Sequence, residues 1–242
     1  MSKARVLVVE HQNDAGLGLV GERLRESGVE IETVGPDAGL EVPRSLEGYD
    51  GLIVLGGSMG PTEDDRAPWL PATRSLLAEG VAQGLPTLGI CLGAQLLATA
   101  TGGHVRTMPD GPEVGLHTVR FGESAAGDPL FEGFAGAEVP AVQWHWLEAD
   151  QLPDRTRVLA SSGACANQAF RIGDRAWGVQ FHPEALGDTA QDWADEGKQD
   201  LDELGLDGAT VVTGVRAAEG ELRQAWSRVA DRFAALVQQA GQ

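Results

Sequence analysis

The chain has 242 residues, with 18 lysines and arginines against 36 aspartates and glutamates, a formal net charge of −18 at neutral pH. That balance excludes proteins that neutralise phosphates with a basic surplus, so no nucleic acid and no anionic membrane is expected as a partner. With 42% apolar residues, no long apolar run and only two cysteines, Cys91 and Cys165, the chain reads as globular, reduced and cytoplasmic. Near the start, Lys3 and Arg5 precede an apolar run of only Val6 to Val9, too short for the apolar region of a signal peptide.

Arg5 to Val9 is β-branched and apolar throughout, which suits a strand buried on both faces of a parallel sheet. Leu17 to Ser27 follows as an amphipathic helix stopped by Gly28. Val29 to Val34 and Gly51 to Leu55 are the next strands, the latter ending at Gly56-Gly57. Pro68 to Gln83 is helical, with proline at its start and Gly84 beyond its end. Pro86 to Ile90 is a fourth strand, and Leu92 to Thr101 a helix. This alternation predicts an α/β fold around a mainly parallel sheet.

Beyond Gly102 the texture changes. Val114–Phe121, Val139–Gln143, Arg157–Ser161, Gln168–Ile172 and Trp177–Phe181 are strand-like and separated by turn residues. They are expected to extend the sheet with antiparallel strands. Asp188 to Asp207 is acid-rich, with Lys198 its only base, and reads as a solvated helix face and loop. Glu219 to Gln239 closes the chain as a helix with Leu222, Trp226, Val229, Phe233 and Leu236 on one stripe. No repeat or linker divides the chain, so residues 1–242 are expected to form one domain with a helical C-terminal extension from about 187.

The sharpest local signal is Gly89-Ile90-Cys91-Leu92-Gly93, where a buried strand turns into a helix. Such an elbow lifts a nucleophile out of the sheet, and flanking glycines relieve its crowding. The helix N-terminus favours a thiolate, and the N–H of Leu92 points toward a developing oxyanion. A small buried cysteine in a packed corner would look the same, so the motif needs a base. Of five histidines only His182, in Phe181-His182-Pro183-Glu184, has a carboxylate two residues on. Pro183 biases His182 toward extended geometry, in which positions i and i+2 share a face. Glu184 can then orient one ring nitrogen while the other faces the sulfur. A third element, Gly56-Gly57-Ser58, follows a buried strand and can offer a second oxyanion N–H from Gly57.

Other patterns read more plainly. Gly16-Leu17-Gly18-Leu19-Val20-Gly21 has dinucleotide-loop spacing, but His11 to Ala15 separate it from the strand end. It is read as a glycine-rich loop into a helix, and no cofactor is expected. Cys165 reads as a small core residue, and Trp144 and Trp146 as core or rim packing. The two cysteines lie far apart and away from any histidine pair, so no metal site is expected.

The segments Gly89-Ile90-Cys91-Leu92-Gly93-Ala94-Gln95 and Gly178-Val179-Gln180-Phe181-His182-Pro183-Glu184 resemble the class I glutamine amidotransferases. Gln143-Trp144-His145-Trp146, Ala160-Ser161-Ser162 and Asn167-Gln168-Ala169-Phe170 resemble the branch near the amidotransferase domain of GMP synthetase. The resemblance covers roughly residues 4 to 186 and leaves out the C-terminal helices. It implies a flavodoxin-like, three-layer fold with a central mixed, mainly parallel sheet. It makes Cys91 the nucleophile, His182 the base and Glu184 its orienter, with Gly57 and Leu92 supplying oxyanion N–H groups. Gln95 and the stretch His145, Trp146 and Leu147 would hold the amino-acid end of the substrate.

The implied activity is hydrolysis of the glutamine side-chain amide through a cysteine thioester, with ammonia passed to a separate synthase. Two departures matter. The chain has no acceptor domain and no phosphate-binding G-x-x-x-x-G-K-[ST] loop. It also carries Ser58-Met59 where many relatives have proline after the glycines. A stand-alone hydrolase of γ-glutamyl amides or peptides with the same three residues is the alternative. A non-enzymatic module on this fold would be marked by a degenerate triad, whereas Cys91, His182 and Glu184 are all present.

Overall fold

The computed structural model describes residues 3–242. Its centre is a nine-stranded mixed sheet. Five strands, β2 (Glu30–Val34), β1 (Arg5–Val9), β3 (Gly51–Val54), β4 (Thr87–Ile90) and β11 (Ala176–Val179), lie side by side and parallel. Four more continue it antiparallel: β10 (Ala169–Ile172), β9 (Arg157–Ser161), β6 (Glu113–Phe121) and β7 (Glu138–His145). The antiparallel extension is thus as expected, except at the Trp177–Phe181 segment. Its strand β11 turns antiparallel to β10 but runs parallel to β4, so it forms the seam between the two halves.

Period-two alternation explains the three layers. In β1, Val6 and Val8 face the core shared with α1 (Gly18–Glu26) and α7 (Glu219–Ala240), while Leu7 and Val9 face that of α2 (Leu70–Gln83) and α3 (Leu92–Ala100). All four side chains are fully buried, each contributing about 1.5–3 kcal/mol relative to exposure. The α7 stripe is buried as expected, with Trp226 packed on Phe181 and Phe134. Among the described residues no helix is long and apolar enough to cross a membrane.

A small second sheet, β5 (His104–Thr107) with β8 (Leu147–Gln151), has no counterpart in the sequence reading. Its strands are short and polar, with low intrinsic preference for a sheet. Cross-strand charge supports them instead: Arg106 bonds Glu148 at 2.8 Å, and His104 lies 2.7 Å from Asp150.

The C-terminal extension is α4 (Gly187–Glu196), α5 (Lys198–Leu204), α6 (Gly208–Ala217) and α7. Only the outer face of the acid-rich stretch is solvated. Ala190, Trp193 and Leu201 are buried in the main core, so the expected solvated face holds for one side and fails for the other.

Candidate active site

The strand β4 ends at Ile90, and α3 begins at Leu92. Cys91 alone makes the turn, at φ 51° and ψ −105°, in a region that non-glycine residues avoid. Its N–H is held by the carbonyl of Val179 at 2.8 Å, tying the elbow to β11. The elbow is tight because glycine lets helix and strand meet. A Cβ on Gly93 would lie 2.0 Å from the carbonyl oxygen of Val54, and one on Gly89 would lie 2.4 Å from that of Gly93.

His182 is held by its own N–H, which donates to Val142 of β7 at 2.9 Å. Its Nδ1 lies 2.6 Å from Glu184 Oε1, and both side chains are buried. Its Nε2 has no hydrogen-bond partner. Burial opposes the charged ring, but Glu184 and Cys91 outweigh it and raise the imidazole to about 10. Gly56 makes room for the pairing: a Cβ there would stand 3.1 Å from His182 Cε1 and 3.6 Å from Cys91 Cβ.

A stability prediction follows from the sign of that shift. The folded value lies above the ordinary 6.5, so the stabilisation is complete below about pH 6.5 and is lost as pH rises through about 10. Urea midpoints should fall over that window, and a His182→Gln variant should lose most of the fall. An identical pH slope in both proteins would show that the ring is not held charged.

Gly57 and Leu92 flank the same space. A Cβ on Gly57 would stand 3.0 Å from Leu92 Cδ2 and 3.0 Å from His11 Cβ. Among the described residues neither the Gly57 nor the Leu92 N–H donates to a backbone acceptor. The next residue is fixed, since Ser58 N–H donates to Gln12 Oε1 at 2.7 Å. His11 supports the loop from below. Burial lowers its imidazole to about 4, and its Nδ1 accepts a hydrogen bond from Trp69 Nε1 at 2.9 Å.

The other expected site residues converge on one cavity of about 340 Å³. Cys91, His182, Gly57, Gln95, His145, Trp146 and Leu147 all line it. Gln95 Nε2 donates to the Leu147 carbonyl at 3.1 Å and to Gln180 Oε1 at 3.3 Å. The ring of His145 is committed within the protein: Nδ1 lies 2.9 Å from the Leu147 carbonyl and Nε2 lies 3.3 Å from Glu113. Burial would raise the Glu113 carboxyl, but hydrogen bonds from His145 and Ser162 hold it below its usual value. His145 therefore braces the loop rather than offering its ring to a ligand. The Trp146 carbonyl is likewise taken, by the N–H of Met108 at 2.9 Å.

Several residues escaped the sequence reading. Gln180 Nε2 donates toward Cys91 Sγ at 3.7 Å, and it shares a face with His182 by the same i, i+2 rule. Trp193 meets the His182 ring edge-on, centroids 4.6 Å apart, and packs on Trp144 at 5.6 Å. With Trp193, Glu196 and Asp200 it is the supposedly solvated acid-rich segment that walls the cavity, together with Asp14 from the loop after β1. The signal was a tryptophan within an acidic run. The glycine-rich loop has a mechanical part. Gly18, at φ +42°, abuts the Glu184 carbonyl, where a Cβ would lie 2.2 Å away, and Leu19 N–H donates to that oxygen at 3.0 Å. Cys165 is fully buried, and burial pushes its thiol up to about 12.

Known proteins resemble this chain in both sequence and fold. The family model described as glutamine amidotransferase class-I matches residues 14–193. One of the two-part, glutamine-hydrolyzing GMP synthases, from Sulfolobus acidocaldarius, has a subunit that is 33% identical over 168 residues, 69% of this chain and 82% of that protein. Gamma-glutamyl peptidase 4 of Arabidopsis thaliana is 30% identical over 156 residues, 63% of this chain and 60% of the peptidase. The crystal structure of a glutamine amidotransferase from Thermotoga maritima matches with TM-score 0.86 and 28% identity, covering 97% of this chain and 99% of that one. That coverage takes in the C-terminal helices, which the sequence resemblance had left out.

Proposed function

The chain belongs to the class I glutamine amidotransferase family, and from that premise we propose that it hydrolyses the γ-amide bond of glutamine and of larger γ-glutamyl amides through a Cys91 thioester. The observation that carries this is the elbow itself: a strained, buried cysteine facing the one cavity wall where a buried His182 leans on Glu184. The Cys91 thiolate attacks the γ-carbonyl carbon, and a C–S bond forms. The N–H groups of Gly57 and Leu92 receive the oxyanion. The C–N bond then breaks, its nitrogen taking a proton from His182. Water, deprotonated by His182, opens the thioester to give glutamate and restores the thiol. Glu184 holds the ring in orientation and stabilises its charged form.

Passing ammonia to a separate synthase is the second reading, supported by the relative named as part of a GMP synthase. The cavity favours the first, because it reaches the surface at the exposed residues Glu196 and Asp200 and leaves room for a leaving group beyond ammonia. The test is glutamate release by the purified chain from glutamine and from a panel of γ-glutamyl dipeptides. Release without any added protein is expected, along with stoichiometric alkylation of Cys91 by a glutamine-like electrophile. No release from any member would overturn the proposal. Release from glutamine alone, raised by a synthase, would favour the second reading.

A further inference from the structure

Three carboxylates, Asp14, Glu196 and Asp200, line the cavity, and no lysine or arginine does. They come from two distant parts of the chain, the loop after β1 and the helices α4 and α5. Their position relative to the chemistry is fixed by Trp193. Its ring edge lies on His182, and its Nε1 donates to the Asp14 carbonyl at 2.9 Å. Glu196 follows less than one helical turn later and meets the Asp14 carboxyl, whose charge is the main reason the Glu196 carboxyl is raised above its usual value.

The acids therefore sit on the His182 side of the cavity. His182 is also the group that, in the proposed reaction, hands a proton to the departing nitrogen. Its Nε2 is buried, unpartnered and turned to this same cavity, which marks the inner end of the path. Between that inner end and the acidic mouth run the faces of Trp144 and Trp193, 5.6 Å apart. Apolar walls that end in carboxylates match a methylene chain ending in an ammonium. An anionic leaving group would meet repulsion from every charged group at the mouth.

We propose that the preferred substrates are γ-glutamyl amides of diamines or polyamines, whose leaving amine carries a second, cationic nitrogen bound at Asp14, Glu196 and Asp200. This rests on the hydrolase reading above. The amide C–N bond breaks, the amine takes the His182 proton, and water supplies the oxygen of the glutamate product. No other reactant is needed.

The test compares two probes of equal length, γ-glutamyl-1,4-diaminobutane and the uncharged γ-glutamyl-n-pentylamide, by glutamate release. At low ionic strength the cationic amide is expected to have about a fivefold or greater advantage in kcat/KM, shrinking with added salt. In an Asp14→Asn, Glu196→Gln, Asp200→Asn variant the ratio should fall toward one. Single replacements, with circular dichroism to verify folding, keep the test valid if the triple variant folds poorly. Equal turnover of both amides by the wild-type chain would overturn this inference and leave the hydrolase reading standing. So would an unchanged ratio in the variants. Lower turnover of both amides alike would place the substrate's own α-ammonium at the acids, and would also overturn it. Failure to hydrolyse either amide or glutamine would overturn the hydrolase reading itself.

Discussion

Cys91→Ala is expected to release glutamate at least about 10⁴-fold more slowly than the wild-type chain, at every pH and substrate concentration. The chemistry has no substitute nucleophile. Cys165 is fully buried with its thiol pushed up to about 12. Folding should survive, because alanine meets the same backbone strain as cysteine at φ 51°. A glycine at the same position separates strain from chemistry. Cys91→Gly removes a backbone cost on the order of 1–3 kcal/mol, and so should unfold at higher urea than Cys91→Ala while being equally inactive. Glutamate release by Cys91→Ala at a tenth of the wild-type rate would remove Cys91 from the reaction. Equal urea midpoints for the two variants would mean that the elbow stores no strain.

Gly93→Ala should be the most damaging single methyl group in the elbow. The added Cβ would lie 2.0 Å from Val54 O and 2.7 Å from Val54 C. Both are backbone atoms in a fully buried central strand, so no side chain can swing aside. We expect a loss of about 3 kcal/mol or more, read as a drop in thermal midpoint of roughly 6–12 °C for a chain of this size. Activity should fall further than stability explains. The shift moves α3, and with it the Leu92 N–H, relative to Cys91, and a displacement near 1 Å costs on the order of 10²-fold. Gly214→Ala in α6, where a Cβ meets nothing within 4 Å, is the control. It should be neutral or stabilise by about 0.5–1 kcal/mol. If Gly93→Ala unfolded with the control, helix and strand could not be packed as described.

The parallel half of the fold was legible because its strands are short, fully buried and punctuated by glycine. Val6 to Val9 and Gly51 to Val54 admit few other readings. The elbow was legible for a local reason: strand, nucleophile and helix are consecutive, so their geometry is decided by neighbours in the chain. His182 and Glu184 were legible because Pro183 leaves little choice of backbone. What the sequence concealed depends on distant contacts. The β5–β8 sheet has polar strands whose pairing is between charges, Arg106 to Glu148 and His104 to Asp150, and no periodicity announces it. The acid-rich stretch is solvated on one face, and only docking shows that its other face carries Trp193 onto His182. His145 was expected to meet a ligand, and its ring is instead held by Glu113, a contact between β6 and β7. Gly18 looked like half of a phosphate loop, and its small size serves the close approach of the Glu184 carbonyl.

The position of β11 bears on how the molecule is made. During synthesis β4 and Cys91 leave the ribosome early, yet the carbonyl that fixes the Cys91 N–H belongs to Val179. The imidazole and carboxylate follow at His182 and Glu184, and the roof of the cavity follows at Trp193. A nascent chain that ends before Trp177 has four adjacent parallel strands and an ordinary thiol, with neither a proton acceptor nor a cover. Insertion of β11 beside β4 installs the hydrogen bond, the base and the roof within one short stretch of translation. The thiol is thus armed only once the greater part of the polypeptide has emerged and folded back onto its first half.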